Sequence, residues 1–124
     1  MSSPARQTIG RAGEELACEH LARFGFEILQ RNYRSRFGEL DVIAFDGRTL
    51  VFCEVKARRW PGRAGRALEA IDARKRAQVR RIARQWLHEH SPRPRPALLR
   101  FDAIGVTFDR AGALVALEHL EGAF

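Results

Sequence analysis

Two acids and a lysine lie inside apolar, strand-like runs of residues 38–58. They are Asp41, Glu54 and Lys56, in the spacing D-x(12)-E-x-K. Carboxylate oxygens are the ligands that hard divalent cations such as Mg²⁺ prefer. A metal-bound water can attack a phosphate, and a nearby ammonium can orient that water or stabilise the charge that develops at phosphorus. These residue types therefore predict metal-dependent hydrolysis of a phosphodiester bond, with Asp41 and Glu54 binding Mg²⁺ and Lys56 assisting.

The alternative is an ordinary solvated strand face, because this spacing also arises by chance. The neighbouring positions of both runs are apolar on both faces, as in a sheet covered by helices. Charge in such a place is costly unless it has a partner or a role. The context therefore favours a functional site.

The turn between the two runs decides whether the acids meet. A four-residue loop at 46–49 places Asp41 opposite Glu54, whereas a two-residue turn places Glu39 opposite Glu54 with Asp41 as its diagonal neighbour. A three-residue loop without a bulge would instead separate Asp41 and Glu54 onto opposite faces. Strict alternation also places Asp41 on the same face as Ile43.

The surrounding pattern predicts the elements that hold these residues. Apolar spacings of three and four indicate a first helix, with Thr8 as N-cap and its end at Gly25, and a second from Ala67 to about His90. The prolines of SPRPRP end the second helix. Strand patterns occur at 26–33, in the two runs of the hairpin, and at 98–108 and 113–120. We predict one α/β domain over residues 1–124, with a mixed β-sheet of about five strands flanked by helices.

Composition limits the class of protein. The chain has 124 residues, enough for one core, and 22 Lys and Arg against 15 acids, so that its formal net charge is +7. This balance favours polyanionic partners. We expect a cytoplasmic protein with no membrane contact, since there is no apolar leader and no run of roughly 20 apolar residues. The two cysteines, Cys18 and Cys53, are predicted to be buried free thiols.

Basic residues follow the proposed site in the loop after Lys56 and along the second helix. Such a stripe is often only a solvated face, but here it adjoins the predicted acidic site. Trp60 could stack on an unpaired base or cover the core. Contacts of this kind predict salt-dependent binding to the DNA backbone without reading of sequence. The candidate nucleic-acid-binding residues are Arg58, Arg59, Arg63, Arg66, Lys75, Arg76 and Arg80.

Four segments together resemble a known family. They are GRAGEELACEHL (10–21), RNYRSRFGELDVIA (31–44), VFCEVKAR (51–58) and RFDAIGV (100–106). In combination they resemble the YraN-like family of small bacterial proteins. That family is similar to archaeal Holliday-junction resolvases, in the restriction-endonuclease-like PD-(D/E)xK nuclease superfamily.

The resemblance implies a restriction-endonuclease-like fold and a role for each matching residue. It implies that Asp41 is the first metal-binding acid, Glu54 the second and Lys56 the motif lysine. Glu14 matches a further acid that resolvase relatives place near the metal, although its helical pattern fits an exposed acid equally well. Glu39 is a motif residue without an assigned role.

Two functions follow as hypotheses. The first is an endonuclease that uses Mg²⁺ or Mn²⁺ to cut branched or structured DNA. The second is a non-catalytic DNA-binding or adaptor protein that keeps the fold. Related resolvases act as dimers, which makes a homodimer one option. We do not assign His20 or Asp102 as ligands, because His20 falls at the boundary between helix and core and Asp102 is expected to pair with an arginine.

Overall fold

The computed structural model of the chain describes residues 4–60 and 72–124. These ranges contain two helices and five strands. The helices are α1 (Pro4–Arg23) and α2 (Ala73–Glu89), and the strands are β1 (Glu27–Ser35), β2 (Gly38–Phe45), β3 (Thr49–Arg59), β4 (Leu98–Phe108) and β5 (Leu114–Leu120).

The five strands form a single mixed sheet in the order β1-β2-β3-β4-β5. β3 and β4 are parallel, joined by the connection that contains α2, and the other neighbouring pairs are antiparallel. The predicted α/β class is confirmed, and the architecture is consistent with a restriction-endonuclease-like fold.

Both helices differ from their predicted limits at the N-terminal end. α1 begins at Pro4 rather than after Thr8, since proline is well tolerated in the first turn of a helix. α2 begins at Ala73, where the side chain of Asp72 caps it by accepting the N–H of Lys75, so the onset predicted at Ala67 is wrong for this helix. Within the described ranges, neither helix combines the length and apolarity needed to cross a membrane.

The sheet separates two apolar cores. On one face α1 contributes Ala17 and Leu21. On the other face α2 contributes Val79, Ile82 and Trp86. The free cysteines, Cys18 and Cys53, are both buried on the α1 side, as predicted. The central strands are therefore apolar on both faces because a helix covers each one.

The hairpin between β2 and β3 has the four-residue loop. Phe45 pairs with Leu50, and the regular pairing runs to Val42 and Cys53, one step before Asp41 and Glu54. Asp46 closes the loop by accepting backbone N–H groups with its side chain. The four-residue loop is therefore the turn that the structure contains, and its register would place Asp41 opposite Glu54 if the regular pairing continued by one step.

Alternation along β2 breaks at Asp41, contrary to prediction. Leu40 and Ile43 both belong to the α2-side core, whereas Val42 belongs to the α1-side core. In a regular strand residues 40 and 43 point to opposite faces, so the alternation of side chains is interrupted between them. The expectation that Asp41 follows the face of Ile43 by simple alternation therefore fails, and the break frees the Asp41 carboxylate to bond the neighbouring strand.

Candidate metal and nucleic-acid site

Asp41 stands where the pairing of β2 with β3 ends. Its Oδ2 accepts the backbone N–H of Val55 at 2.7 Å, so a side-chain hydrogen bond takes the place of the next backbone hydrogen bond between the two strands. Burial raises the pKa of Asp41 to about 7 against the opposing effect of that hydrogen bond, and the negative charges of Glu54, Glu14 and Glu39 add to the rise. Asp41 thus lies among acids, on a largely apolar sheet.

Three acids from two elements, α1 and β2, converge at this point. Glu14 of α1, Glu39 of β2 and Asp41 each offer an oxygen, and these oxygens all lie within 4.8 Å of one another. We call these three residues the acid cluster. A set of carboxylate oxygens at such separations matches the donors that Mg²⁺ and Mn²⁺ take.

Glu14 reaches the cluster because α1 packs very close to β3. A Cβ placed on Gly13 would lie 2.9 Å from the Cβ of Ala57, closer than side chains normally approach. The missing side chain at Gly13 therefore lets the helix approach the sheet at the residue before Glu14. The short distance explains why an otherwise ordinary helix acid lies beside a strand carboxylate.

Asn32 is a member of the site that the sequence did not single out. In the amide orientation that satisfies its donors, its nitrogen donates to Glu14 Oε1 at 2.8 Å and to Glu39 Oε1 at 3.0 Å. The backbone of Asn32 is left-handed, with φ of +52°. Asparagine tolerates this conformation better than most residues, and that tolerance is the one signal the sequence carried.

Glu54 has a cationic partner on α2. It is 7% exposed, and its Oε1 lies 3.2 Å from Nζ of Lys75. Lys56, two positions along β3, is exposed. The structure therefore brings Glu14 and Asp41 together with Glu39. Glu54, predicted as the second metal-binding acid, is not part of this group and has Lys75 as its counterion, and Lys56 lies at the solvent boundary.

The basic residues predicted to bind DNA have varied surroundings. Arg58 and Arg76 are exposed, and Arg59 donates to the carbonyl of Arg110. Arg80 donates to the carbonyl of Phe124 and lies over the ring of Phe101, 4.7 Å from its centre, which gives it a packing role. Arg63 and Arg66 lie outside the described residues.

Trp60 and the start of α2 are the remaining parts of the predicted basic surface that the structure describes. Trp60 is 61% exposed, which argues against its covering the core. A concavity of about 630 Å³ opens beside α2, and it is lined by the basic side chains of Arg74, Lys75 and Arg81 together with Phe37 and others. Since Lys75 also pairs with Glu54, this basic concavity adjoins the predicted acids.

The two residues not assigned as ligands lie in a separate network. Asp102 is fully buried and pairs with Arg100 through three hydrogen bonds of 3.0 to 3.2 Å, as predicted. His20 is partly buried at the edge of α1, where the helix meets the core.

Comparisons with known proteins agree with the motifs. The model of a family described as "Uncharacterised protein family UPF0102" matches residues 13–106, which include the acid cluster, Glu54 and Lys56. This chain belongs to the UPF0102 family. A UPF0102 protein of Frankia casuarinae is 48% identical over 120 residues, covering 97% of this chain and 98% of the relative.

Two further UPF0102 proteins match over nearly their whole length. The protein of Pelotomaculum thermopropionicum is 45% identical over 120 residues, covering 97% of this chain and 98% of its own. That of Acidothermus cellulolyticus is 41% identical over an alignment of 131 positions that covers 99% and 98% of the two chains. The YraN-like assignment made from the four segments is therefore confirmed.

Proposed function

We propose that this UPF0102 protein is a metal-dependent DNA endonuclease that hydrolyses phosphodiester bonds in branched or structured DNA in the cytoplasm. The observation that carries the proposal is the convergence of the acid cluster, where the negative charge of Glu54 also acts on Asp41. Glu54 lies on β3, the strand that continues to Lys56. Carboxylates this close together repel one another when they are ionised, and a bound cation would relieve that repulsion.

The donor set fits Mg²⁺ or Mn²⁺. It consists of carboxylates alone, the ligand type of hard cations. Burial is the main cause of the raised pKa of Asp41, and the negative charges of Glu54, Glu14 and Glu39 add to it. Glu14, Glu39 and Asp41 would hold the ion, with Glu54 as a further ligand. Such an ion, when bound, acidifies a water molecule and stabilises charge on a phosphate oxygen.

The protein residues then have distinct tasks. The N–H of Val55 fixes one oxygen of Asp41, so the other is available to a cation. Asn32 holds Glu14 and Glu39 at their positions through its amide. Glu54 would join the ligands by giving up its ion pair with Lys75. The exposed ammonium of Lys56 is suited to contact the attacking water or the scissile phosphate.

The basic surface supports DNA as the substrate. Arg58, Arg76 and Lys75 lie on the elements next to the acids, and such residues contact phosphates without reading bases. We expect binding to weaken steeply as salt increases. Cutting both strands of a junction requires two sites, which a homodimer would supply.

The test is cleavage of end-labelled four-way junction, flap, single-stranded and linear duplex DNA in Mg²⁺ and in Mn²⁺. Wild type is compared with Glu54→Gln and Lys56→Ala, and with Glu118→Gln as a matched control, because Glu118 is an exposed acid on β5. We expect metal-dependent cutting that falls by about 10²-fold or more in the two site variants, as when one group that stabilises a transition state is removed. The control should cut like wild type.

Binding without cutting would point to the other function. If no DNA structure is cut in either metal while salt-sensitive binding persists, the endonuclease proposal fails and a non-catalytic DNA-binding or adaptor protein remains. Metal-dependent cutting that is unchanged in both site variants would contradict the assignment of residues.

A further inference from the structure

A second cluster of ionisable groups joins α1 to β5, apart from the acid cluster. Nε2 of His20 lies 3.0 Å from Nδ1 of His119, across 99 positions of the chain. We call these two residues the histidine pair. His20 follows Glu14 by six residues, about 9 Å along the helix axis, so the pair is distinct from the acid cluster.

A buried carboxylate fixes the orientation of His119. Nε2 of His119 lies 2.7 Å from Oδ2 of Asp102, which also accepts from Arg100, and Oδ1 of Asp102 accepts the N–H of Gly122. An ionised carboxylate only accepts hydrogen bonds, so Nε2 of His119 carries the proton. In the neutral ring the lone pair is then on Nδ1, and it faces His20.

This arrangement matches the surroundings of histidines that bind metals. A metal-ligating histidine usually donates its other ring N–H to a carboxylate or carbonyl, which fixes the tautomer and makes the ligating nitrogen more basic. With Zn–N bonds of about 2.0–2.1 Å, two nitrogens on one ion stand roughly 2.9 Å apart at a right angle and roughly 3.4 Å apart at the tetrahedral angle. The 3.0 Å within the histidine pair falls in that range.

The histidine pair opens onto a cavity of about 440 Å³ that can admit further ligands. Asp46, Arg100 and Glu121 line it with polar groups, and Phe24 and Phe26 line it with aromatic rings. Two coordination positions of an ion would face this space, where water or a carboxylate can occupy them. Burial, His119 and Arg23 lower the pKa of His20, which favours the neutral ring that a metal requires.

We propose that His20 and His119 form a binding site for a borderline transition-metal ion such as Zn²⁺, with Asp102 as the positioning residue of His119. Nε2 of His20 and Nδ1 of His119 are the two protein ligands. For both lone pairs to face the ion, the proton of His20 moves from Nε2 to Nδ1, so the net charge of the ring does not change. Imidazole ligands select Zn²⁺, Co²⁺ or Ni²⁺ over Mg²⁺, so this site and the acid cluster would take different ions.

The test is calorimetric titration of the full chain, without a polyhistidine tag, with ZnCl₂ in excess Mg²⁺. We expect one Zn²⁺ per chain, and a loss of affinity of at least tenfold in His20→Gln and in His119→Gln. His88→Gln is the matched control, since His88 is exposed on α2, and it should bind Zn²⁺ like wild type. Asp41→Asn should also keep the affinity, which separates the new site from the acid cluster.

Co²⁺ supplies an independent readout, because its visible absorption reports nitrogen ligation and low coordination number. The spectrum should appear in wild type and be lost in His20→Gln. His20 is only partly buried, so this variant carries the test if His119→Gln does not fold. Either the absence of Zn²⁺ binding by wild type or binding that survives His20→Gln would overturn the proposal.

Discussion

Asp41 on β2 and Asp102 on β4 are aspartates on the two strands that flank β3, and their surroundings are opposite. Asp102 is fully buried and lies against Arg100, His119 and a backbone N–H, all of which donate to it. Asp41 accepts one backbone N–H and otherwise lies near acids. The first carboxylate has its positive charge within the protein, whereas for the second we have proposed a bound metal ion.

The difference separates a stabilising carboxylate from one that costs stability. A buried charge with complete hydrogen bonding holds the structure around it, and removing one partner leaves the others uncompensated. A carboxylate among like charges lowers the stability of the folded state until something positive binds. Four variants, at three positions, test this contrast.

The largest effect is expected from Asp102→Asn. The change keeps the shape but removes the charge that Arg100 and His119 share, so the free energy of unfolding should fall by about 3–5 kcal/mol. Urea denaturation at pH 7 measures it, with Glu118→Gln as the exposed control. A loss below about 1 kcal/mol would mean that the Asp102 network contributes little to stability.

The pH dependence of stability should reveal Asp41 next. Its folded-state pKa is raised to about 7 from the ordinary 3.8, so above pH 4 the unfolded chain loses this proton more readily than the folded one. Stability therefore falls as the pH rises, by about 2–3 kcal/mol between pH 5 and pH 8 from this group.

Asp41→Asn removes that dependence. The difference in unfolding free energy between wild type and variant, measured without divalent cations at several pH values, should grow in favour of the variant up to about pH 7 and then level off. A difference that stays constant from pH 5 to pH 8 would show that the carboxylate titrates normally.

The smallest effect is expected from Asn32→Gly. Glycine keeps the left-handed backbone, so the change removes only the two hydrogen bonds to Glu14 and Glu39, and stability should fall by about 1 kcal/mol. The concentration of Mg²⁺ that gives half-maximal thermal stabilisation should rise by about tenfold, as for other groups that orient metal ligands.

Asn32→Ala provides the comparison for strain. Alanine lacks the same hydrogen bonds and also disfavours a φ of +52°, so it should be less stable than Asn32→Gly by about 1 kcal/mol. Equal stability of the two variants would mean that the left-handed backbone is not retained. If the Mg²⁺ concentration for half-maximal thermal stabilisation is unchanged in both variants, Asn32 does not contribute to metal binding.

The sequence was sufficient to predict the sheet and, as one of the alternative turns, the four-residue loop between β2 and β3. Strand alternation and the loop between β2 and β3 are local properties, and the order of helices and strands follows from apolar periodicity. The start of α2 was misplaced because apolar spacing continues before its cap at Asp72.

What the sequence could not supply depends on three-dimensional packing. The left-handed turn at Asn32 and the break in alternation at Asp41 are single departures from regular strands, which a period of two cannot indicate. The pairing of Glu54 with Lys75 requires the position of α2 on the sheet, and the contact of His20 with His119 requires β5 to lie beside β4.

The linear arrangement of the strands also has a consequence for the order in which the chain folds. Asn32, Glu39, Asp41 and Glu54 lie on three consecutive antiparallel strands, so their contacts close short loops and can form quickly, even on a chain still emerging from the ribosome. The histidine pair spans 99 positions and needs the last strand. We therefore expect the four residues on β1, β2 and β3 to assemble early during synthesis, and the histidine pair to form only when the chain has been made through β5.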